Sequence, residues 1–201
     1  MRKLTILDIV DHRAYERERE TLRREVMELK KSRRVQLGPL MTVVFENATT
    51  VRWQIQEMVR VERMLTDDQI GNEVETYNEL LPGPEELSAT LFVELTSEDE
   101  LREWLPRLVG VENSVEIVLS DASVVRGVDP HADRLSRTDV TAAVHFLKFS
   151  FTPAQKELFP IGPVRMVVDH EAYPVDVELS PVQHQALSED FENTHEPSVT
   201  T

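Results

Sequence analysis

The stretch Pro82-Gly83-Pro84-Glu85-Glu86-Leu87-Ser88-Ala89-Thr90-Leu91-Phe92-Val93-Glu94-Leu95 decides the fold class. Its opening Pro-Gly-Pro cannot continue a helix, because proline lacks the amide proton and fixes φ while glycine loosens the backbone. From residue 88 the side chains alternate, with Ala89, Leu91, Val93 and Leu95 on one side of an extended chain. The same two-residue period predicts strands at 115–119, 123–128, 141–151, 164–169 and 175–179, with Ser120-Asp121-Ala122 as a turn. Only two short helices interrupt them, 98–108 capped by Ser97 and 181–187 capped by Ser180. So few helices among so many strands point to a mainly antiparallel sheet and an α+β fold.

Upstream of Pro82 the period is helical. Thr5 and Asp8 stand at capping-box spacing, and a long N-terminal helix is expected to run to about Arg34. Its apolar residues Tyr15, Leu22, Val26 and Leu29 fall within about 60° of arc, a narrow seam suited to a coiled-coil-like contact or to an arm lying on another surface. That seam motivates an expectation of a homodimer. Gly38-Pro39 ends the helix, residues 40–45 read as a strand, and helices at 50–65 and 67–81 form a hairpin, the second capped by Thr66 with Gln69. The long helix and the hairpin should pack on the sheet. Residues 1–188 are thus expected to form one domain, mainly helical over 1–84 and mainly β over 85–188. Residues 127–139 read as a loop and 189–201 as a disordered polar tail.

The chain has 201 residues, 40% hydrophobic and 29% charged, enough for a real core of aliphatic character. It contains no cysteine, which excludes disulfides, thiolate metal sites and cysteine nucleophiles. The first residues lack an apolar secretion segment, and no run of 18 apolar residues occurs, so a cytoplasmic protein without a membrane span is expected. The net charge of −15 is uneven: residues 1–66 carry +4 and residues 67–201 carry −19. The acidic portion should repel phosphate backbones, which argues against nucleic acid as a partner. The cations of Lys30-Lys31-Ser32-Arg33-Arg34 suit the negative end of a helix dipole, with a small nucleic-acid patch as the rival reading.

On the helix at 50–65, Arg52, Gln56, Arg60 and Arg63 project together as a polar, solvent-facing strip, whereas Gln54, Glu57 and Glu62 fall among apolar neighbours. Glu73 repeats this on the next helix, whose apolar face carries Ile70, Val74 and Tyr77. An ionised carboxylate in such surroundings needs a partner. Arg19 or Arg23, Tyr77, Gln54, Asn78 or a bound cation could serve. Three readings follow: an ion-pair network that fixes helix docking, a polar binding pocket, or a carboxylate metal site. The candidate set is Glu46, Gln54, Glu57, Arg60, Glu62, Glu73, Tyr77 and Asn78. Metal ligation finds little support, since the sole Glu-x-x-His runs from Glu192 to His195, so no metal site is assigned. His145 reads as a core histidine and His170 as a turn residue. No nucleophile elbow or phosphate-binding glycine loop occurs, which leaves cofactors and catalytic residues unassigned.

Phe45-Glu46-Asn47, the run Gln54-Ile55-Gln56-Glu57-Met58-Val59-Arg60 with Glu62-Arg63, then Thr76-Tyr77-Asn78 and Glu86-Leu87-Ser88-Ala89-Thr90-Leu91 together resemble an uncharacterised bacterial family described as a domain of unknown function. The likeness extends to about Phe191. Genes of that family tend to lie beside those for rubrerythrin and iron–sulfur oxidoreductases. The resemblance therefore implies a redox or oxidative-stress setting and a redox protein as partner, and it brings no activity with it. The expected role is an accessory or binding protein using a polar pocket on the helical hairpin. The alternative is an enzyme, with or without a metal, whose buried carboxylate acts as general base.

Overall fold

The computed structural model describes residues 1–132 and 139–192. Among the described residues eight strands form one sheet: β1 (Arg34–Leu37), β2 (Met41–Glu46), β3 (Glu86–Val93), β4 (Val115–Val118), β5 (Val124–Val128), β6 (Val144–Ser150), β7 (Arg165–Val168) and β8 (Val175–Glu178). Their order is β1-β2-β3-β6-β5-β4-β7-β8 and every pairing is antiparallel. Among the described residues six α-helices accompany them: α1 (His12–Lys31), α2 (Ala48–Val61), α3 (Asp67–Tyr77), α4 (Glu98–Arg107), α5 (Pro153–Leu158) and α6 (Pro181–Glu192). The fold is α+β, as the switch of period at Pro82 requires.

The strand registers put Val35, Val43, Leu91 and His145 in one row across the sheet, and Phe45, Ala89 and Leu147 in the next. Residues from all eight strands on this face join a single apolar cluster, so the sheet curls around its own inner face. The two edges approach through Tyr173, just before β8. Its hydroxyl donates to the Leu37 carbonyl at 2.7 Å and accepts from the Leu40 amide at 2.8 Å. Gly38 makes room for that contact: its φ is +65° and an added Cβ would lie 2.6 Å from the Tyr173 oxygen. Leu187 and Phe191 of α6 enter the same core, where Phe191 packs edge-on against Phe151 and Phe159 at 5.0 and 5.3 Å.

The helices α1, α2 and α3 lie on the opposite face, and β2 is therefore buried on both sides. Val51, Ile55 and Val59 of α2 form a second core with Leu4, Val74, Leu80 and Leu81, against which Phe146 packs from the sheet. No helix among the described residues is long and apolar enough to cross a membrane.

Several boundaries differ from expectation. The N-terminal helix begins only at His12, where Asp11 accepts from the Arg13 and Ala14 amides. Residues 6–8 make a separate 3-10 turn behind the Thr5–Asp8 capping box. The same helix stops at Lys31, and Arg34–Leu37, whose first residue was expected to end it, pairs as an edge strand with β2. Residues 153–158, to which the sequence pattern assigns no element, fold into α5 behind the Thr152–Gln155 capping box. Residues 189–192, expected to open a disordered tail, instead continue α6 to Glu192, with Phe191 buried and Asp190 paired with Arg33. The seam of α1 is covered by α2 of the same chain: Tyr15 and Val26 are buried there, which removes the physical reason for expecting a dimer through it.

Candidate functional site

α2 carries most of the candidate residues, and its start is fixed locally. The Asn47 side chain accepts from the Thr50 amide while the Thr50 hydroxyl accepts from the Asn47 amide, a reciprocal cap that launches the helix straight out of β2. The helix therefore begins beside Glu46, the last residue of the strand, whose carboxylate is buried beneath it. Glu46 Oε2 lies 2.5 Å from the Thr50 hydroxyl and accepts from Gln54 Nε2 at 2.9 Å, and Oε1 accepts from the Thr90 hydroxyl at 2.8 Å. All three donors are neutral. Nearby, the Lys30 ammonium sits 5.2 Å from the centre of the Trp53 ring, and burial pushes its pKa down against the opposing pull of Glu46. The buried Trp53 indole nitrogen has no hydrogen-bond partner among the described residues.

One turn further on, Glu57 meets α1. Arg19 Nε and Nη2 bind its two carboxylate oxygens at 2.7 and 2.8 Å, and the Tyr15 hydroxyl donates to Oε1 at 2.5 Å. The Arg19 guanidinium first, and then Tyr15, hold the Glu57 carboxyl below the usual carboxylate range, while burial and this carboxylate push the Tyr15 phenol up. Arg60 reaches α1 separately, through Glu16 at 2.5 Å.

Two carboxamides bind the backbone of the N-terminal arm. Asn78 accepts from the Leu4 amide at 2.8 Å and donates to the Leu4 carbonyl at 2.9 Å. Gln56 does the same for Val10, both bonds at 3.0 Å. Each side chain imitates a neighbouring strand's peptide group. Gln56 is consequently buried and does not belong to the solvent-facing strip expected for it. The arm was the missing information, since a glutamine on an otherwise polar helix face gives no hint of a backbone lying across it.

The eight candidate residues thus do not converge on one pocket. Glu46 and Gln54 form one cluster, and Glu57 with Arg60 faces α1 in a second. Asn78 holds the arm, and Tyr77 is half-buried beside Glu73, its phenol pushed up by burial and then by that carboxylate. Glu62 is the residue that ends α2 and stands exposed, contrary to the expectation that it sits among apolar groups.

A polar array that pattern reading missed lies at one end of the sheet. His145 is fully buried; its Nδ1 is 3.3 Å from Asp129 Oδ2, and its Nε2 is 3.0 Å from the Thr141 hydroxyl and 3.1 Å from the Ala142 carbonyl. The order Asp–His–Thr matches that of a hydrolytic triad, but burial of all three leaves no access for a substrate. Its role is to fasten the ends of the segment between β5 and β6. Residues 133–138, within the loop expected there, lie outside the described residues, as do 193–201 of the expected tail and the Glu192–His195 pair. Among the described residues no three His, Asp or Glu side chains converge as metal ligands.

These features define an α+β protein with a three-helix layer on a curled antiparallel sheet, its buried polar groups held mainly by its own side chains and backbone. The chain belongs to the family described as protein of unknown function (DUF3501), whose model matches residues 3–191. It is also similar to a crystal structure of a protein of unknown function from Burkholderia pseudomallei, at 32% identity and a TM-score of 0.87, covering 94% of this chain and 99% of that one. No curated protein matches.

Proposed function

We propose that this protein is an accessory binding module that docks a partner protein, in a redox or oxidative-stress pathway, through the tip of its helical layer. The observation that carries the reading is a contrast. Glu46, Gln56, Glu57 and Asn78 are occupied by their own chain, whereas large apolar side chains stand in water around the turn between α2 and α3. Leu65 there is 79% exposed and Val61 63%, and on the adjoining arm Leu7 is 95% exposed. Ile6 and Leu7 line a groove with Asp67 and Gly71, and Val61 and Leu65 line the next. Exposed apolar groups gathered this way mark interaction surfaces more often than isolated ones do. The redox setting is supported by the family resemblance alone; the chain has no cysteine, so any thiolate-bound cluster would be held by the partner.

The test is direct binding of the full chain to purified rubrerythrin or iron–sulfur oxidoreductase, followed by calorimetry. Saturable binding that Leu65→Asp abolishes supports the reading. Binding to neither protein overturns the redox assignment, and binding that Leu65→Asp and Val61→Asp leave unchanged overturns the surface. A second reading, an enzyme with Glu46 as general base, draws on the buried carboxylate whose hydrogen-bond donors are all neutral and on the half-buried Lys30 near it. It requires Thr50, Gln54 and Thr90 to release oxygens they now occupy, so it ranks below the first.

A further inference from the structure

The turn that ends α2 contains a conformational anomaly. Arg63 adopts φ +53°, the left-handed region in which glycine is the unstrained residue. The turn itself is an ordinary helix stop: the Met64 amide reaches back to the Val59 carbonyl at 3.0 Å, and the residue between helix and return is the position that glycine usually fills. A long cationic side chain stands there instead, exposed and without an ion-pair partner among the described residues. Strained backbone kept at a surface turn points to a task for the side chain it carries.

Arg63 lines a groove with His12, Glu16, Arg60, Val61 and Leu65. Among the described residues Arg60 engages only its Nε, on Glu16, which leaves the remaining guanidinium donors for another partner. The groove thus offers two guanidinium groups and an imidazole against one carboxylate, bordered by two exposed apolar side chains. We propose that this groove docks an acidic amphipathic segment of the partner protein, its carboxylates on Arg60 and Arg63 and its apolar side chains over Val61 and Leu65. The inference rests on the docking reading above and specifies its chemistry. Arginine binds carboxylates through paired donors, so the groove selects planar acids as well as charge. The −19 carried by residues 67–201 disfavours the same acidic segment on that part of the chain, which leaves the residue 1–66 side, where this groove lies, as the better electrostatic match. The competing account is that Arg60 and Arg63 only offset the dipole at the end of α2. That account makes Arg63 stabilising, whereas the left-handed backbone makes glycine the more stable residue there.

The experiment titrates the full chain into a fluorescein-labelled helical peptide of about 18 residues, leucines at helical spacing and glutamates on the flanks, and into a counterpart with every glutamate replaced by lysine. The expected result is saturable binding of the acidic peptide alone, weakened about tenfold by Arg63→Glu and again by raising salt from about 0.1 to about 0.5 M. Arg63→Gly should weaken binding while raising thermal stability, an outcome that the dipole account forbids. Equal binding of both peptides, no saturable binding, or indifference to Arg63→Glu overturns the proposal. Sedimentation showing a dimer that Arg63→Glu dissociates also overturns it, because the occupant is then a second copy. If Leu65→Asp abolishes binding to the purified redox partner while Arg63→Glu does not, the docking surface stands and only its acidic specificity fails.

Discussion

Arg19 grips both oxygens of Glu57, at 2.7 and 2.8 Å, and so ties the middle of α1 to the third turn of α2. Both side chains are about four-fifths shielded from solvent. A two-pronged pair in that setting is stronger than an exposed one, and removing one member leaves the other poorly solvated. Arg19→Ala should lower stability by about 2 kcal/mol, and a double-mutant cycle with Glu57→Gln should return a coupling of about 1–2 kcal/mol. Urea denaturation measures both; additive effects would mean that the pair does not hold the helices together.

Acid should loosen this region in a defined direction. The Glu57 carboxyl is held below its usual range by Arg19 and then Tyr15, and Asp8 is held at about 2, from 3.8, chiefly by its hydrogen bond from Arg2. A folded-state pKa below the unfolded one contributes stability that is complete above the unfolded value and lost as pH falls through the folded value. For Asp8 that window runs from 3.8 down to about 2. Urea midpoints across it should fall less steeply for Asp8→Asn than for the wild type.

The Arg33–Asp190 pair joins the start of β1 to the end of α6, and the Arg33 side chain is 2% exposed. Burial raises the Asp190 pKa despite the attraction of Arg33, which marks a strongly desolvated pair. Asp190→Ala, leaving a buried guanidinium unpaired, should cost about 3 kcal/mol, whereas Arg33→Met with Asp190→Leu should cost less than that single change. Thermal melts of the three proteins decide it.

His145 with Asp129 and Thr141 should behave as a structural array. His145→Ala leaves the buried Asp129 short of a partner and should destabilise the fold by about 3 kcal/mol. His145→Asn, which keeps a donor, should recover part of that loss in the same assay.

Arg63→Gly separates stability from docking. Releasing the left-handed arginine should raise stability by about 0.5–1 kcal/mol, read as a higher urea midpoint. A fall instead would mean that the arginine itself supports the turn.

The fold was legible where neighbours in sequence decide the structure. Ser97 and Thr66 announced the starts of α4 and α3, and alternation announced β3 to β8 because each strand has one face on a continuous core. β1 escaped because its four residues follow a basic helix end, and four residues are too few for a period to show. The candidate site was legible only as a demand: Glu57 needed a partner and Arg19 was among those named. Glu62 misled because a helical wheel assumes that the helix continues, and α2 ends before it.

By itself the sequence determined the α+β class, the start of the strand-rich stretch after Pro82 and the requirement that buried carboxylates be compensated, since these depend on backbone geometry and solvation over short spans. Tertiary structure alone decided which residues meet. Gln56 holds Val10 from 46 positions away, Asn78 holds Leu4 from 74, and Arg33 finds Asp190 at a separation of 157. Long-range partners are selected by how the helical layer and the curled sheet stack, and periodicity along the chain carries no record of that stacking.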